Sequence, residues 1–295
     1  REFLDEMDRV VPWSDLVAQI APFMPEGKRG RPPFPVESLL RIHFMQQWFT
    51  LSDPAMEEAL HDVPLFRDFA GLGGWDDRLP DESTILRFRH VLEKHKLSER
   101  ILATVNLLLG AKGLMLRSGT VVDATLISAP SSTKNGKGER DPEMHQAKKG
   151  QQYFFGMKLH IGVDSQTGLA HSAVVTAANV HDKHPLPALL HGQELEVFGD
   201  SAYASQQELI AAKAPKAKDR TNQRVRGTGH LADLERIVNR IKSKTRSRVE
   251  HVFAVVKRQF GFSKVRYKGL AKNATRAFVA LGLANIYLAR KRLVA

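Results

Sequence analysis

The chain of 295 residues contains no cysteine, and this absence removes disulfides, thiolate metal sites and thiol nucleophiles together. It fits a reducing cytoplasm. Aromatic residues are sparse at 7%. No apolar run reaches the ~18 residues that a membrane-spanning helix needs, and no secretory leader is recognisable, so an exported or membrane-spanning chain is not expected. Acidic residues are scarce at one end. Residues 211–295 hold 22 Lys/Arg against four acids (Asp219, Asp233, Glu235 and Glu250), a charge of +18. The first 210 residues hold 22 Lys/Arg against 28 acids, a charge of −6. The total is +12, with a pI near 9.9. So one-sided a distribution calls for a polyanionic partner, with nucleic acid first and an anionic membrane surface second. The chain opens on Arg1 rather than methionine, and a short preceding piece is expected.

The length suits two domains, and 42% hydrophobic content suffices for a real core. Residues 1–35 are punctuated by proline and carry a basic cluster at 28–31. SLLRIHFMQQWF then reads as a largely buried helix. A second helix opens at SDPAMEEAL, with Asp53 as N-cap and Pro54 at its first position. After the glycine-rich GLGGWDD a third opens at DESTILRFRHVLEKH, capped by Asp81 or Ser83. Short helices with tight turns describe either a helix-turn-helix-like DNA-binding unit, with Arg87 and Arg89 facing a groove or a phosphate, or a plain helical bundle.

From Ser118 the pattern turns to strand. TVVDATLI is one strand. FFGMKLHIGVD and LAHSAVVTAA flank a turn at 165–168 and read as an antiparallel hairpin. Met157, Leu159, Ile161 and Val163 share one face of it, and Lys158 and His160 take the other. LEVFGDSAY precedes the helix ASQQELIAAK. A polar loop is expected at 128–152. The closing AFVALGLANIYLARKR is an apolar helix, expected to pack on the sheet.

Asp123 lies within or just after the first strand and Asp200 ends a later one, where an acid is costly unless something neutralises it. Two such aspartates brought together repel, and a divalent cation is the usual remedy. Oxygen ligands without a His/Cys cage select Mg²⁺ or Mn²⁺. Glu250 stands alone in KSKTRSRVEHVFAVVKRQF. In a continuous helix, Arg246, Glu250 and Lys257 fall within about 40° of one another, beside a stripe of Val249, Phe253, Val256 and Phe260. Alone, this could be an Arg246–Glu250 pair on a solvated helix, worth a few tenths of a kcal/mol. With the two aspartates, Glu250 becomes a third carboxylate. Two metal ions about 3.5–4 Å apart then suit an in-line phosphodiester displacement. Asp164 reads as a turn residue, Asp182 as a loop cap or a neighbour of the site, and Asp141 as exposed. Lys158, and Lys148 and Lys149 in the loop, are either DNA contacts or surface lysines. KVRYKGLAKNATR reads as a surface that tracks a phosphate backbone.

The stretches from VVDATLISAP to GVDSQTG, NVHDKHPLPALLHGQELEVFGDSAY and RSRVEHVFAVVKRQFGFSKVRYKGLAKN resemble insertion-sequence transposases of the DDE, RNase H-like superfamily, and the insertion sequence 5 family above all. VPWSDLVAQIAPF through DESTILRFRHVLEKH resembles the helical part of the same family. The resemblance implies an α/β fold: an RNase H-like mixed sheet flanked by helices over 116–295, and an all-α DNA-binding domain over 1–115. It makes Asp123, Asp200 and Glu250 the catalytic, metal-holding triad with two Mg²⁺ ions (Mn²⁺ as substitute). Arg246 and Lys257 map onto a Tyr-x2-Arg-x3-Glu-x6-Lys signature whose tyrosine is Ser243 here, and Arg248 joins them in contacting DNA. The implied activity is binding of terminal inverted repeats on double-stranded DNA, cleavage, and joining of 3′-OH ends to target DNA. A homodimer or higher oligomer at a bacterial nucleoid, away from membranes, is implied too. The alternatives are an inactive DNA-binding relic or repressor, and an RNase H-like nuclease acting on branched DNA.

Overall fold

The computed structural model describes every residue except 26, 28–30, 75, 76, 137 and 295. Three residues of the basic cluster at 28–31 and part of GLGGWDD therefore lie outside the described residues. The chain divides into two compact units, Arg1–Leu108 with Phe278–Ala295, and Leu109–Ala277.

The first unit is helical: α1 (Glu2–Val10), α2 (Trp13–Ile20), α3 (Val36–Trp48), α4 (Asp53–Asp62), α5 (Pro64–Phe69), α6 (Glu82–Lys94) and most of α7 (Leu97–Ala111). The prolines of the opening stretch sit between α1, α2 and α3, so two helices form where the punctuation had hidden them. Leu16, Ile20, Leu40, Phe44, Met56, Leu60 and Leu92 fill the interior. Asp81 caps α6 by accepting from the Thr84 N–H at 2.7 Å. Ser52, not Asp53, caps α4, accepting from Ala55 N–H at 3.2 Å. Asp53 is thereby free for α6, where Arg89 meets it at 2.6 Å.

The second unit is built on a six-stranded mixed sheet. Its strands are β1 (Gly119–Ser128), β2 (His145–Lys149), β3 (Gln152–Asp164), β4 (Ala170–Ala177), β5 (Glu196–Phe198) and β6 (Lys218–Asp219). β3 pairs antiparallel with β1, β2 and β4, whereas β1–β5 and β5–β6 are parallel. An antiparallel half running into a parallel half, with helices on its faces, is the expected RNase H-like arrangement. Helices α8 (Leu186–Leu189), α9 (Gln207–Lys213), α10 (His230–Arg246) and α11 (Arg248–Ala254), a π-helical turn (Val255–Gln259) and the start of α12 (Leu270–Val294) complete the unit.

Two local devices hold the sheet in register. Asp164 accepts from the N–H groups of Leu116 (3.0 Å), Arg117 (2.5 Å), Gln166 (2.8 Å) and Thr167 (2.7 Å), fixing the β3–β4 turn. Burial alone would raise its pKa, but these donors hold it below the usual carboxylate value. At Gly156, where β1 and β2 both meet β3, a Cβ would stand 2.1 Å from the Ile127 carbonyl oxygen, so no larger residue fits.

Three further expectations need correction. The polar loop at 128–152 contains β2, because β3 extends past β1 and offers an unpaired edge to HQAKK. Asp141 is half-buried rather than exposed: with Glu143 it accepts from the N–H groups of Gly269 and Leu270 (both 2.6 Å), satisfying donors at the start of α12. The closing apolar helix is not part of the sheet unit. From Phe278 onward it belongs to the helical unit, where Asn285 donates to Asn106 (2.9 Å) and Arg290 to Glu6 (3.0 Å).

Candidate active site

β1 runs down the middle of the sheet, and its register sets Asp123 opposite Ile161 of β3. Up to Val122 the strand is buried, and from Asp123 to Leu126 it is half-exposed as it leaves the core. Asp200 follows β5, the parallel neighbour of β1, and Asp123 lies two residues past the last β1–β5 pair (Val121 with Phe198), so the two aspartates emerge side by side at the carboxyl end of the parallel β1–β5 ladder. In open α/β sheets this is where ligands bind. Glu250 comes from α11. The three carboxylates line one concavity of about 670 Å³, together with Thr125, Lys148, Lys149, Lys158, Asp182, Arg246, His251, Lys257 and Arg258.

The expected unbroken helix around Glu250 is interrupted twice. α10 ends at Arg246, where the Ser247 hydroxyl donates back to the Lys244 carbonyl at 2.8 Å, a bond that competes with the helical ladder. The π-helical turn then re-aims Lys257. Val249, Phe253, Val256 and Phe260 are all buried as the stripe required, and Arg246, Glu250 and Lys257 still open into the same concavity.

The surroundings of Asp123 alter its acidity. Burial pushes its pKa up to about 6. The neighbouring charges of Asp200 and Glu250 push the same way, against the Ala124 N–H (2.8 Å from Oδ1) and the Arg246 guanidinium (3.7 Å from Oδ2). A buried carboxylate raised by two others is where a divalent cation relieves the most repulsion, and the donor set is oxygen throughout, as Mg²⁺ or Mn²⁺ require. Among the described residues, no three His, Asp or Glu side chains stand close enough together to hold a metal ion as they are placed here.

The cations divide into those held in the concavity and those held elsewhere. Lys257 Nζ donates to Thr125 Oγ1 at 2.8 Å, and its pKa is lowered by burial and then by Lys149, with Glu250 opposing. Lys158 donates to the Val180 carbonyl and to Asp182, both at 2.8 Å. Asp182 is therefore part of the site's wall. Lys148 and Lys149 are exposed on β2. Arg248 is not brought to the carboxylates; its guanidinium donates to the Ser165 carbonyl at the far end of β3. Arg89 does not face a groove: it is buried between Asp53 (2.6 Å) and Glu93 (3.1 Å). Arg87 is exposed and lines a separate groove of the helical unit with Arg31, Arg78 and Phe34. Within the basic stretch at 264–276, Lys264, Lys268 and Lys272 are exposed, but Arg276 is buried over the Phe262 ring at 4.4 Å and cannot track a backbone. Ser243, in the signature's tyrosine position, accepts from the Asn222 side chain at 3.0 Å.

Residue-by-residue reading missed Tyr203. Its ring is wholly buried, and its hydroxyl has no hydrogen-bond partner among the described residues. Burial raises its pKa, and the charges of Asp182, Asp123 and Asp200 raise it further, so it stays a neutral donor. Its place three residues after Asp200 was the available signal. His160, fully buried on β3, meets Thr176 at 2.9 Å and lies 3.8 Å from Asp182. Burial pushes its pKa down to about 4, with Lys158 adding to the effect and Asp182 opposing it.

Two family models match the chain. "Transposase DDE domain" covers residues 115–286, and "Transposase domain (DUF772)" covers residues 1–91.

Proposed function

The chain belongs to the DDE transposases, and from that premise we propose that it cuts DNA at the inverted repeats ending a mobile element and joins the freed 3′-OH ends to target DNA. The observation that carries this reading is the grouping of Asp123, Asp200 and Glu250, from three separate elements, in one concavity rimmed by lysine and arginine.

Asp123, Asp200 and Glu250 would hold two Mg²⁺ ions, which when bound supply Lewis-acid activation of the attacking oxygen and stabilisation of the leaving one. The remaining work falls to the chain. Arg246 and Lys257 reach the same space as Glu250 and hold the scissile phosphodiester, the arginine by a two-pronged contact and the lysine as a mobile charge. Lys149 and Arg258, also on the wall, take the flanking phosphates. Asp182 anchors Lys158 so that its ammonium faces the DNA in one orientation. The neutral Tyr203 hydroxyl, which feels the charges of Asp182, Asp123 and Asp200 and has no partner among the described residues, is a spare donor for this site. No side-chain nucleophile is required, and the chain has no cysteine to supply one. The helical unit, with Arg87, Arg78 and Arg31 around one groove, adds sequence-independent affinity for the repeat. The insertion sequence 5 family is the subgroup we assign, with a homodimer holding two ends.

Incubation with a labelled inverted repeat and target plasmid in Mg²⁺ tests this reading. The expected products are nicks with free 3′-OH ends, followed by covalent joining to the plasmid. Cleavage without joining would favour a nuclease, and binding without cleavage an inactive relic.

A further inference from the structure

α10 has two faces with opposite fates. One holds it to its own unit. Ala232 is buried, Asn239 exchanges two hydrogen bonds with the Gln223 backbone (3.0 and 2.9 Å), and Lys242 donates to the Thr221 carbonyl at 2.9 Å. The other face presents Leu231, Leu234, Ile237, Val238 and Ile241, which are between 45% and 79% exposed. At 100° per residue these five fall in an arc of about 120°, centred some 130° away from the face that holds the helix down. A single exposed leucine is ordinary, but five aliphatic side chains on one helical face are not.

We propose that this face is where a second copy of the same chain docks, the two α10 helices lying antiparallel across a twofold axis. The spacing supports it. Residues 231, 234, 238 and 241 step by three, four and three, the interval of a helix–helix seam. That interval reads the same from either end. An antiparallel copy centred on residue 236 therefore sets Leu231 against Ile241 and Leu234 against Val238, the self-complementarity that a twofold contact demands. The charges support it as well. Asp233 and Glu235 lie towards the start of α10, while Arg236, Arg240, Lys242, Lys244 and Arg246 occupy its middle and end. Parallel pairing would bring the two basic ends together. Antiparallel pairing sets each basic end beside the partner's acidic end and opposes the helix dipoles. Nucleic acid offers phosphates rather than aliphatic surface. A lipid surface is met by Trp and Phe as well as Leu, and this face has leucine but no aromatic residue. The inference does not depend on the carboxylate site, so either can fail alone.

The test uses the full chain in sedimentation velocity across a concentration series. The wild type should show a monomer–dimer equilibrium. The double variant Leu234→Glu, Ile241→Glu should weaken the dimer by about thirtyfold or more, with circular dichroism and melting temperature unchanged because both side chains are exposed. The absence of native cysteine makes orientation testable. Under mild oxidation, a mixture of Leu231→Cys and Ile241→Cys chains should cross-link efficiently and Leu231→Cys alone should not, since a disulfide needs Cα atoms within about 7 Å. A wild type that stays monomeric, a dimer indifferent to the double variant, or efficient self-linking by Leu231→Cys would each overturn the proposal. Binding of monomer to phosphatidylserine vesicles, abolished by the double variant, would overturn it in favour of a lipid surface.

Discussion

Arg89 and Arg246 both sit beside aspartate, yet they serve different ends. Arg89, in the helical unit, is 5% exposed and closes on Asp53 at 2.6 Å and Glu93 at 3.1 Å. Its charge is answered on both sides, and its role is to bind α6 to α4. Arg246, in the sheet unit, is half-exposed, stands 3.7 Å from Asp123, and has a buried Nε with no partner among the described residues. It shares a concavity with Asp123, Asp200 and Glu250 and contacts only the first. Where charge is balanced the fold is complete, and where carboxylates crowd and cations reach only partway, the structure is arranged for something it does not itself contain.

The largest effect should come from removing the crowd. Asp123→Asn, Asp200→Asn and Glu250→Gln should each reduce Mg²⁺-dependent nicking to background while leaving binding to the repeat intact, measured by gel assay and by anisotropy. Asp123→Asn should also raise stability without metal at pH 8 by about 1–3 kcal/mol, because burying that charge costs roughly 1.4 kcal/mol for each pH unit by which its pKa is raised. If nicking by any one variant is normal, that residue is not a metal ligand.

The paired arginines separate next. Arg89→Met leaves Asp53 and Glu93, whose side chains are only 16% and 14% exposed, without their cation and should cost about 3–5 kcal/mol in urea denaturation. Arg246→Met should cost less than about 1 kcal/mol, because its contact is long and half-solvated, but should slow cleavage by about a hundredfold. Equal losses of stability would erase the distinction between the two regions.

Much of this was legible in the sequence because the rules involved are local. Alternation in β3 and β4, the turn chemistry around Asp164 and the cost of acids on strands act within a few residues. What was hidden depends on distant partners. HQAKK is too charged to read as a strand, and becomes one because β3 presents an edge. Arg89 and Asp53 are 36 residues apart, so one-dimensional reading leaves Arg89 an exposed cation. An apolar helix such as α12 must pack on something, but its sequence does not say whether on sheet or helices. At the site, the two aspartates stood out as costly acids on strands, whereas Tyr203 looked like any core aromatic.

His160 offers a smaller, graded test inside the sheet unit. Its pKa is about 4 in the folded chain and near 6.5 when unfolded, so between these values the unfolded state binds the extra proton. Stability is therefore full above pH 6.5 and lost as pH falls towards 4, by up to about 3 kcal/mol. His160→Gln should flatten that part of the pH–stability curve, and an unchanged slope would place the acid sensitivity elsewhere.

The smallest effect concerns affinity alone. Lys257 donates to Thr125 and faces the concavity with its pKa lowered by burial, a condition a phosphate would relieve. Lys257→Ala should weaken binding to the repeat and reduce the slope of log K against log salt by about one, since one fewer counterion is released. An unchanged slope would mean that Lys257 only props up β1 through Thr125. A reduced slope with normal folding would show that the cations around the carboxylates work on DNA, as those around Asp53 do not.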